Sequence, residues 1–529
     1  MSLTLEALDV RHDSYTKEFW DDLDALYRGG KAFRNRIQNF LPQNELEPSD
    51  VYHKRKHNAT YRSYMGPIID YYAAWLFSAD FVIRAHSDGK TIDAPPEYAE
   101  LREDIGGDVD MKVFVKERFT KSLIQERSHW LCELPATKEK AYPADKAQFE
   151  NEGFKKACLK KVDAEELLYW ELDDDGRLEW CVIHSIRKTR KSISSATFTF
   201  VETWAVYDKE NCTTYQLEYE KGQRPSDPKT VVPETFKYKH GFLQVPLITL
   251  QIPEGMWIAN RVYDPQTAHF RLGSALDWSI KRTCYSMPVL KLTDDGKDFT
   301  FGAGYYIKLG TEESMEWPAP PTQQFDAISN EVDVHRNDIF RMTHQMALGL
   351  DNNAETVGRS ADSKDQDNAA TRIMLHAYGE IVSKAIEETY ELISDAFGDT
   401  DVSWSIEGMS GYDTATAPEV IANATNVQLL NIPSKTFLTE IKTKAAMASV
   451  PDASQGTKDL IRKEIAEGVE HAGDQMDTLY AGFTNIKNRT TVADVREADA
   501  EKARIASEAS AKRAAAGGGS KPSKPKASS

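Results

Sequence analysis

Cysteine is scarce in this chain. Its 529 residues include 5 (Cys132, Cys158, Cys181, Cys212 and Cys284), an odd number with no CxxC spacing. That pattern disfavours both a secreted disulfide framework and a structural zinc site. Long apolar runs are missing too. The longest, across residues 71–77, falls far short of the roughly 20 residues a membrane span needs. Residues 1–6 show no basic stretch followed by an apolar one, so no signal peptide is expected and the chain should fold in a reducing, aqueous compartment. Positive charge is in deficit, with 65 Lys+Arg against 83 Asp+Glu and a net charge of −18. This argues against a protein that coats nucleic acid, because phosphate binding rests on clustered Lys and Arg.

The usual marks of catalysis are absent as well. Neither Gly89-Lys90 nor Gly296-Lys297 has a glycine five residues before it, and GxSxG and HExxH do not occur. Gly302-Ala-Gly304 lacks the third glycine of a dinucleotide fingerprint. His53 and His57 are four apart, but Lys54, Arg55 and Lys56 between them would repel a cation. Asp173-Asp174-Asp175-Gly176 lacks the later ligands of a calcium loop and predicts a hairpin turn. Acidic pairs such as Glu165-Glu166 and Glu387-Glu388 are expected by chance among 83 carboxylates. No catalytic residue, metal site or cofactor is expected.

What is present is material for cores: 10 Trp, 22 Tyr and 21 Phe. At roughly 150 residues per domain, the length predicts three or four compact units. The first 90 residues read as helical. Phe19, Leu23 and Leu26 share a helix face that Gly29-Gly30 ends, and an apolar helix runs through Leu76-Phe77. Between about Leu159 and Leu250 the texture changes to short strands in antiparallel meanders: 167–171, 178–183, 197–201 and 214–219. The fold class is therefore expected to be α+β.

Asp264-Pro265 predicts a helix start, and Ala268, Leu272, Leu276, Ile280 and Cys284 follow every four residues. Met287-Pro288 stops that helix. After an insert with strand-like residues 305–309, a second helix carries Ile328, Val332, His335, Ile339, Met342 and Met346 as a narrow seam. Its other faces are polar (Asn330, Glu331, Asp333, Arg336, Asn337, Asp338, Arg341). Two such helices around a short insert predict a long hairpin that buries its remaining apolar surface against another subunit. Residues 350–361 read as a polar loop, and Ser363-x-x-Gln366 as a capping box. The next helix carries Met374, Tyr378, Val382, Ile386, Tyr390, Ile393 and Phe397 on a wide apolar face. Another helical block spans 415–485. Beyond it, Ala493 to Ala516 is Ala-rich and weakly anchored, and residues 517–526 are flexible and basic.

In this order the elements resemble the portal proteins of tailed bacteriophages, over nearly the whole chain to about residue 485. The residues that carry the resemblance are Tyr52-x-x-Arg55, Asn58-Ala-Thr60 and Leu76-Phe77, then Val162 to Trp170, Gly176 to Trp180, and Gly241 to Pro246 ahead of the first long helix. The resemblance implies a wing (1–262), stem helices (263–286 and 324–349) flanking a small α/β clip (287–323), and a tunnel loop (350–362). A long helix returning to the wing (363–414), a helical crown (415–487) and a tail of no assigned role (488–529) would follow. It implies a ring, typically of twelve copies, at one capsid vertex of a virion assembled in the host bacterial cytoplasm. The implied partners are the major capsid protein, the large terminase, a head-tail adaptor and double-stranded DNA passing through, with no membrane. In the tunnel loop Asn352, Asn353, Thr356 and Arg359 are the expected DNA contacts, with Gly349 and Gly358 as hinges. In the clip Lys291, Lys297 and Lys308 are the expected partner contacts. The rival expectations are a multidomain hydrolase with an unrecognised carboxylate site, or another head-completion or scaffold protein.

Overall fold

The computed structural model describes residues 2–134 apart from 79, 88, 89, 93 and 94, and residues 157–284 apart from 191, 192 and 194–196. It also describes 289–291, 314–316, 322–343, 361–409, 417–429, 432, 434–450, 453, 457, 458 and 460–468. The chain divides into two units, Met1–Asp413 and Thr414–Ser529, in place of the expected three or four. The sheets of the first unit share their core residues with its helices, so the long segment does not split.

The first unit is α+β. It opens with β1 (Leu3–Thr4), α1 (Leu5–Leu8), α2 (Lys17–Arg28), α3 (Gly30–Phe40), α4 (Ser49–Asn58) and α5 (Met65–Leu76). Helix α2 buries Leu23 and Leu26 as their spacing predicts, with Trp20 buried and Phe19 half-buried beside them, and ends at Gly29, whose φ of 61° suits glycine. Helix α5 lies so close that a Cβ on Gly66 would come within 2.8 Å of the Tyr27 carbonyl. Only glycine allows that approach without a shift.

The helical reading of the first 90 residues fails at its end. Residues Val82–Ser87 form β2, paired antiparallel with β3 (Lys90–Ile92) on one side and with β15 (Val402–Glu407) on the other. Helices α6 (Pro96–Glu103) and α7 (Met111–Gln125) come next, then β4 (Arg127–Glu133), the middle strand of a three-stranded sheet with β5 (Cys158–Val162) and β12 (Leu247–Gln251).

The meander is built as the sequence suggests. Strands β6 (Leu167–Leu172), β7 (Leu178–Thr189), β8 (Thr199–Tyr207), β9 (Asn211–Glu220) and β11 (Glu234–Lys239) lie side by side in sequence order, all antiparallel. Asp173 to Gly176 is the turn between β6 and β7, with the Asp173 carboxylate accepting from the Asp175 and Arg177 amides. One face of this sheet packs Cys181, Tyr207 and Cys212 on Leu131, Val162 and Leu247. The other packs Val182, Trp204 and Tyr215 on Leu5 and Leu8 of α1 and Val232 of β10 (Val231–Val232). The cysteines Cys132, Cys181 and Cys212 are free thiols.

Three long helices follow: α8 (Ile258–Cys284), α9 (Thr322–Met342) and α10 (Ala361–Phe397). Helix α8 starts earlier than Asp264-Pro265 predicts, and Pro265 lies inside it. Proline there forfeits one backbone bond, but Trp257, Ile258, Ala259 and Val262 ahead of it are all buried, and that burial outweighs the loss. Helix α10 begins at Ala361, two residues ahead of the start predicted at Ser363. Between α8 and α9, β13 (Val289–Lys291) pairs antiparallel with β14 (Ser314–Glu316). The strand-like residues 305–309 lie outside the described residues.

The second unit contains α11 (Ala417–Leu429) and α12 (Lys435–Ser449), the latter capped by the Ser434 hydroxyl accepting from the Phe437 amide at 3.2 Å. Residues 493–516 lie outside the described residues. Among the described residues, no helix is long and apolar enough to cross a membrane.

Candidate functional site: the paired helices and their insert

Helix α8 is fastened to the N-terminal helices by directional bonds. The Gln266 side chain, fully buried, accepts from the Tyr64 amide at 2.9 Å and the Met65 amide at 3.3 Å, and donates to the Arg62 carbonyl at 2.9 Å. It thereby caps α5, whose first amides have no intrahelical partner. Arg271 donates to the Phe40 carbonyl at 2.8 Å. Beside them Phe270 meets Phe33 edge-on at 4.8 Å.

Helix α9 packs along α8. Ile339 is fully buried as the seam predicts, and Ile328, Val332 and His335 are half-buried. The seam breaks at Met342, which is 45% exposed, because Thr343 turns inward in its place. There the Tyr72 hydroxyl donates to the Thr343 carbonyl at 2.6 Å and ties the end of α9 to α5. Met346 lies outside the described residues. The outer faces of α9 carry ion pairs one turn apart, Asp333 with Arg336 and Asp338 with Arg341, and Glu331 reaches within 3.8 Å of the seam residue His335. Such pairs suit a solvated helix face.

Between the helices sits His269, buried, its ring edge-on to Tyr64 at 5.0 Å. Burial, with Arg62, His335 and Arg336 nearby, pulls its pKa down to about 4, so the imidazole is neutral at pH 7. The apolar stripe predicted for α8 is only partly buried within the subunit. Ala268, Leu272 and Leu276 are half-buried and Ile280 is 42% exposed, with Val334 of α9 at 47%. The buried face of α8 is Val262, Gln266, Thr267, His269, Phe270 and Ser274.

The other predicted site residues fall mostly beyond view. Gly349, Asn352, Asn353, Thr356, Gly358, Arg359, Lys297 and Lys308 lie outside the described residues. Lys291 is the last residue of β13 and pairs in register with Ser314.

The carboxylate pairs have structural partners. Glu165 forms an ion pair with Lys17, Glu166 accepts from the Asp163 amide at 2.8 Å, and Glu387 accepts from the Ile406 amide at 3.0 Å. Burial raises the pKa of Glu388. Among the described residues, no group of three or more His, Cys, Asp or Glu is placed to hold a metal ion.

Sequence reading missed an ionic network built around the buried Glu202. Glu202 on β8 is bonded to His184 at 2.8 Å and to Arg224 at 2.8 Å, and Arg224 reaches on to Asp9 at 2.8 Å. Bonds from His184 and Arg224 outweigh burial and hold the Glu202 pKa down at about 2. These residues are spread over some two hundred positions, so no local pattern announces them.

No family model matches the chain, and no curated protein matches it. Among solved structures, one similar chain is from the neck of an empty GTA particle computed with C6 symmetry. It shares 7% identity at a TM-score of 0.35, with 80% of this chain and 96% of that chain covered. Another, from the neck of a native GTA particle computed with C12 symmetry, shares 9% identity at 0.35, with 75% and 89% covered. Likeness at that level assigns neither fold nor function to this chain.

Proposed function

We propose that this chain is a portal-type subunit: a structural protein that forms a ring, typically of twelve copies, at one vertex of a phage-like capsid. Such a ring is a conduit for double-stranded DNA during packaging and ejection. It docks the large terminase and later a head-tail adaptor, while its wing meets the major capsid protein. The observation that carries this reading is the helical pair α8 and α9. The pair is joined by an insert with its own β13–β14 ladder, rooted by buried polar bonds, and carries Leu272 and Leu276 half-buried and Val334 47% exposed. Apolar residues held along a rigid hairpin in this way suit burial against a neighbouring copy.

In the tunnel loop, Asn352, Asn353 and Thr356 would offer neutral hydrogen bonds, Arg359 a phosphate contact, and Gly349 and Gly358 freedom to move. Lys291, Lys297 and Lys308 would meet the motor or adaptor. The net charge of −18 suits a conduit that DNA must traverse without sticking. Negative-stain electron microscopy of the purified chain tests the reading: closed rings with a central channel are expected, and a monomer or dimer across several salt conditions would overturn it. Replacing residues 351–359 should leave rings intact and impair DNA packaging.

A further inference from the structure

The α8–α9 pair leaves the body of the subunit at two roots, the start of α8 and the end of α9. Met256 stands two residues ahead of α8, and Thr343 one residue past α9. A carbonyl outside a helix and away from water needs a donor from elsewhere in the fold. At both roots that donor is a tyrosine hydroxyl. Tyr72 of α5 donates to the Thr343 carbonyl at 2.6 Å, and Tyr378 of α10 donates to the Met256 carbonyl at 2.5 Å.

The two tyrosines also touch each other. Their rings meet edge to face at 5.8 Å and 83°, and Phe119 of α7 backs Tyr378 at 5.3 Å. Tyr72 is 1% exposed and Tyr378 0%. Phenylalanine would fill such sites as well, and a buried hydroxyl is costly unless it is bonded. What the hydroxyls add is direction, since each ties one root to a fixed helix.

Helix α5 holds the pair at two further points. Gln266 of α8 bonds the first amides of α5, and Phe340 of α9 meets Tyr64 edge-on at 5.8 Å. Helix α10 runs from Ala361 through Tyr378, a span of about 25 Å. The bond at Met256 therefore joins the root of α8 to the helix that follows residues 344–360. Those residues lie outside the described residues and take no part in these contacts.

We propose that Tyr72 and Tyr378 are positioning residues: together they form one joint that fixes both roots of the α8–α9 pair to each other and to α10. A force on the insert between α8 and α9, such as a docked motor would exert, reaches α5 and α10 through two hydrogen bonds and one ring contact. The joint stands on its own geometry, while its part in DNA passage rests on the ring reading.

The test uses the full-length chain as wild type, Tyr72→Phe, Tyr378→Phe, the double variant and Tyr71→Phe. The last is the control, because it removes a hydroxyl from the same helix at a half-buried position. Hydrogen exchange of the free chain, read by mass spectrometry, should quicken about tenfold at 336–343 in Tyr72→Phe and at 256–262 in Tyr378→Phe. Tyr71→Phe should change neither. Tyr378→Phe should also quicken 336–343 by about threefold, and the double variant should do no more there than Tyr72→Phe. In particles assembled with the variant ring, Tyr72→Phe should lower packaged DNA about tenfold. Ring yield should stay within about twofold, and the melting temperature within a few degrees.

Unchanged exchange at both roots would overturn the joint. So would an effect of Tyr378→Phe confined to 256–262, which would leave two separate bonds. Ring yield or melting temperature falling as far as packaged DNA would make both tyrosines ordinary core and overturn the positioning role. Full packaging by rings whose exchange has quickened would overturn it too. A chain that forms no rings removes the proposed function, and hydrogen exchange still decides the joint. Should Tyr72→Phe misfold, Tyr378→Phe carries the same test from the other root.

Discussion

Helices α8 and α10 are the two longest elements of the larger unit, and they differ in how much of their buried surface is polar. Helix α10 turns Tyr378, Val382, Ile386, Tyr390, Ile393 and Phe397 into the core, each at most 5% exposed. Helix α8 buries Gln266, Thr267, His269 and Ser274 alongside Ile258, Ala259, Val262 and Phe270, and leaves Leu272, Leu276 and Ile280 half-buried or exposed. Apolar burial is strong and non-directional, so α10 is held wherever its face is filled. Hydrogen bonds contribute less in net energy but fix an angle. Helix α8 is thus aimed by its contacts as much as stabilised by them, and Leu272 and Leu276 keep part of their surface exposed.

The largest effect that would sharpen this contrast is truncation on α10. Tyr390→Ala should cost about 3–5 kcal/mol, measured by denaturant unfolding. A loss below about 1 kcal/mol would break the contrast. Acid should act next, through the buried polar groups. His129 is held at about 3 by burial and by Arg127, and His269 at about 4, both below the ordinary 6.5. An imidazole kept neutral by the fold takes up its proton more readily when unfolded. Stability should therefore fall as pH drops from about 6.5 toward 4 and then 3. Glu202, depressed from 4.5 to about 2, extends the decline below pH 4.5. His269→Gln should flatten the melting temperature against pH between 6.5 and 4.

A smaller effect is expected from Gln266→Ala, which strips the acceptor from the Tyr64 and Met65 amides. The cost should be about 1–3 kcal/mol in unfolding free energy. Smallest for the lone subunit is Ile280→Ser, expected to change its stability by no more than about 0.5 kcal/mol while reducing ring formation. A matching loss in the monomer would show that the stripe is ordinary core.

Patterns completed within a few dozen residues were legible in the sequence. The α2 stop at Gly29, the Asp173–Gly176 turn and the α10 ladder each depend on neighbours close in the chain. The strand β2 was not legible, because Phe81 to His86 reads as a continuation of the apolar α5 helix and its pairing partner begins at Val402. The start of α8 was misplaced because Pro265 is a strong local signal, whereas the burial of Ala259 and Val262 that overrides it is set by tertiary packing. In the candidate site, the polar roots Gln266 and His269 went unnoticed, since a lone polar residue in a helix pattern carries no mark of what it will meet. The α8 stripe was seen, and the structure buries it only in part, with Ala268, Leu272 and Leu276 half-buried.

The pairing of β2 with β15 also sets a timetable. Its two strands are separated by about 320 residues of chain, so at roughly 5–20 residues per second of synthesis one waits some 15–65 s for the other. Until Glu407 leaves the ribosome, β2 has an unsatisfied edge in a crowded cell, where a stray strand could add to it. The nascent polypeptide thus passes through a window in which holdase chaperones have something to grip, and that window closes only once the hairpin and the long helix have already been made.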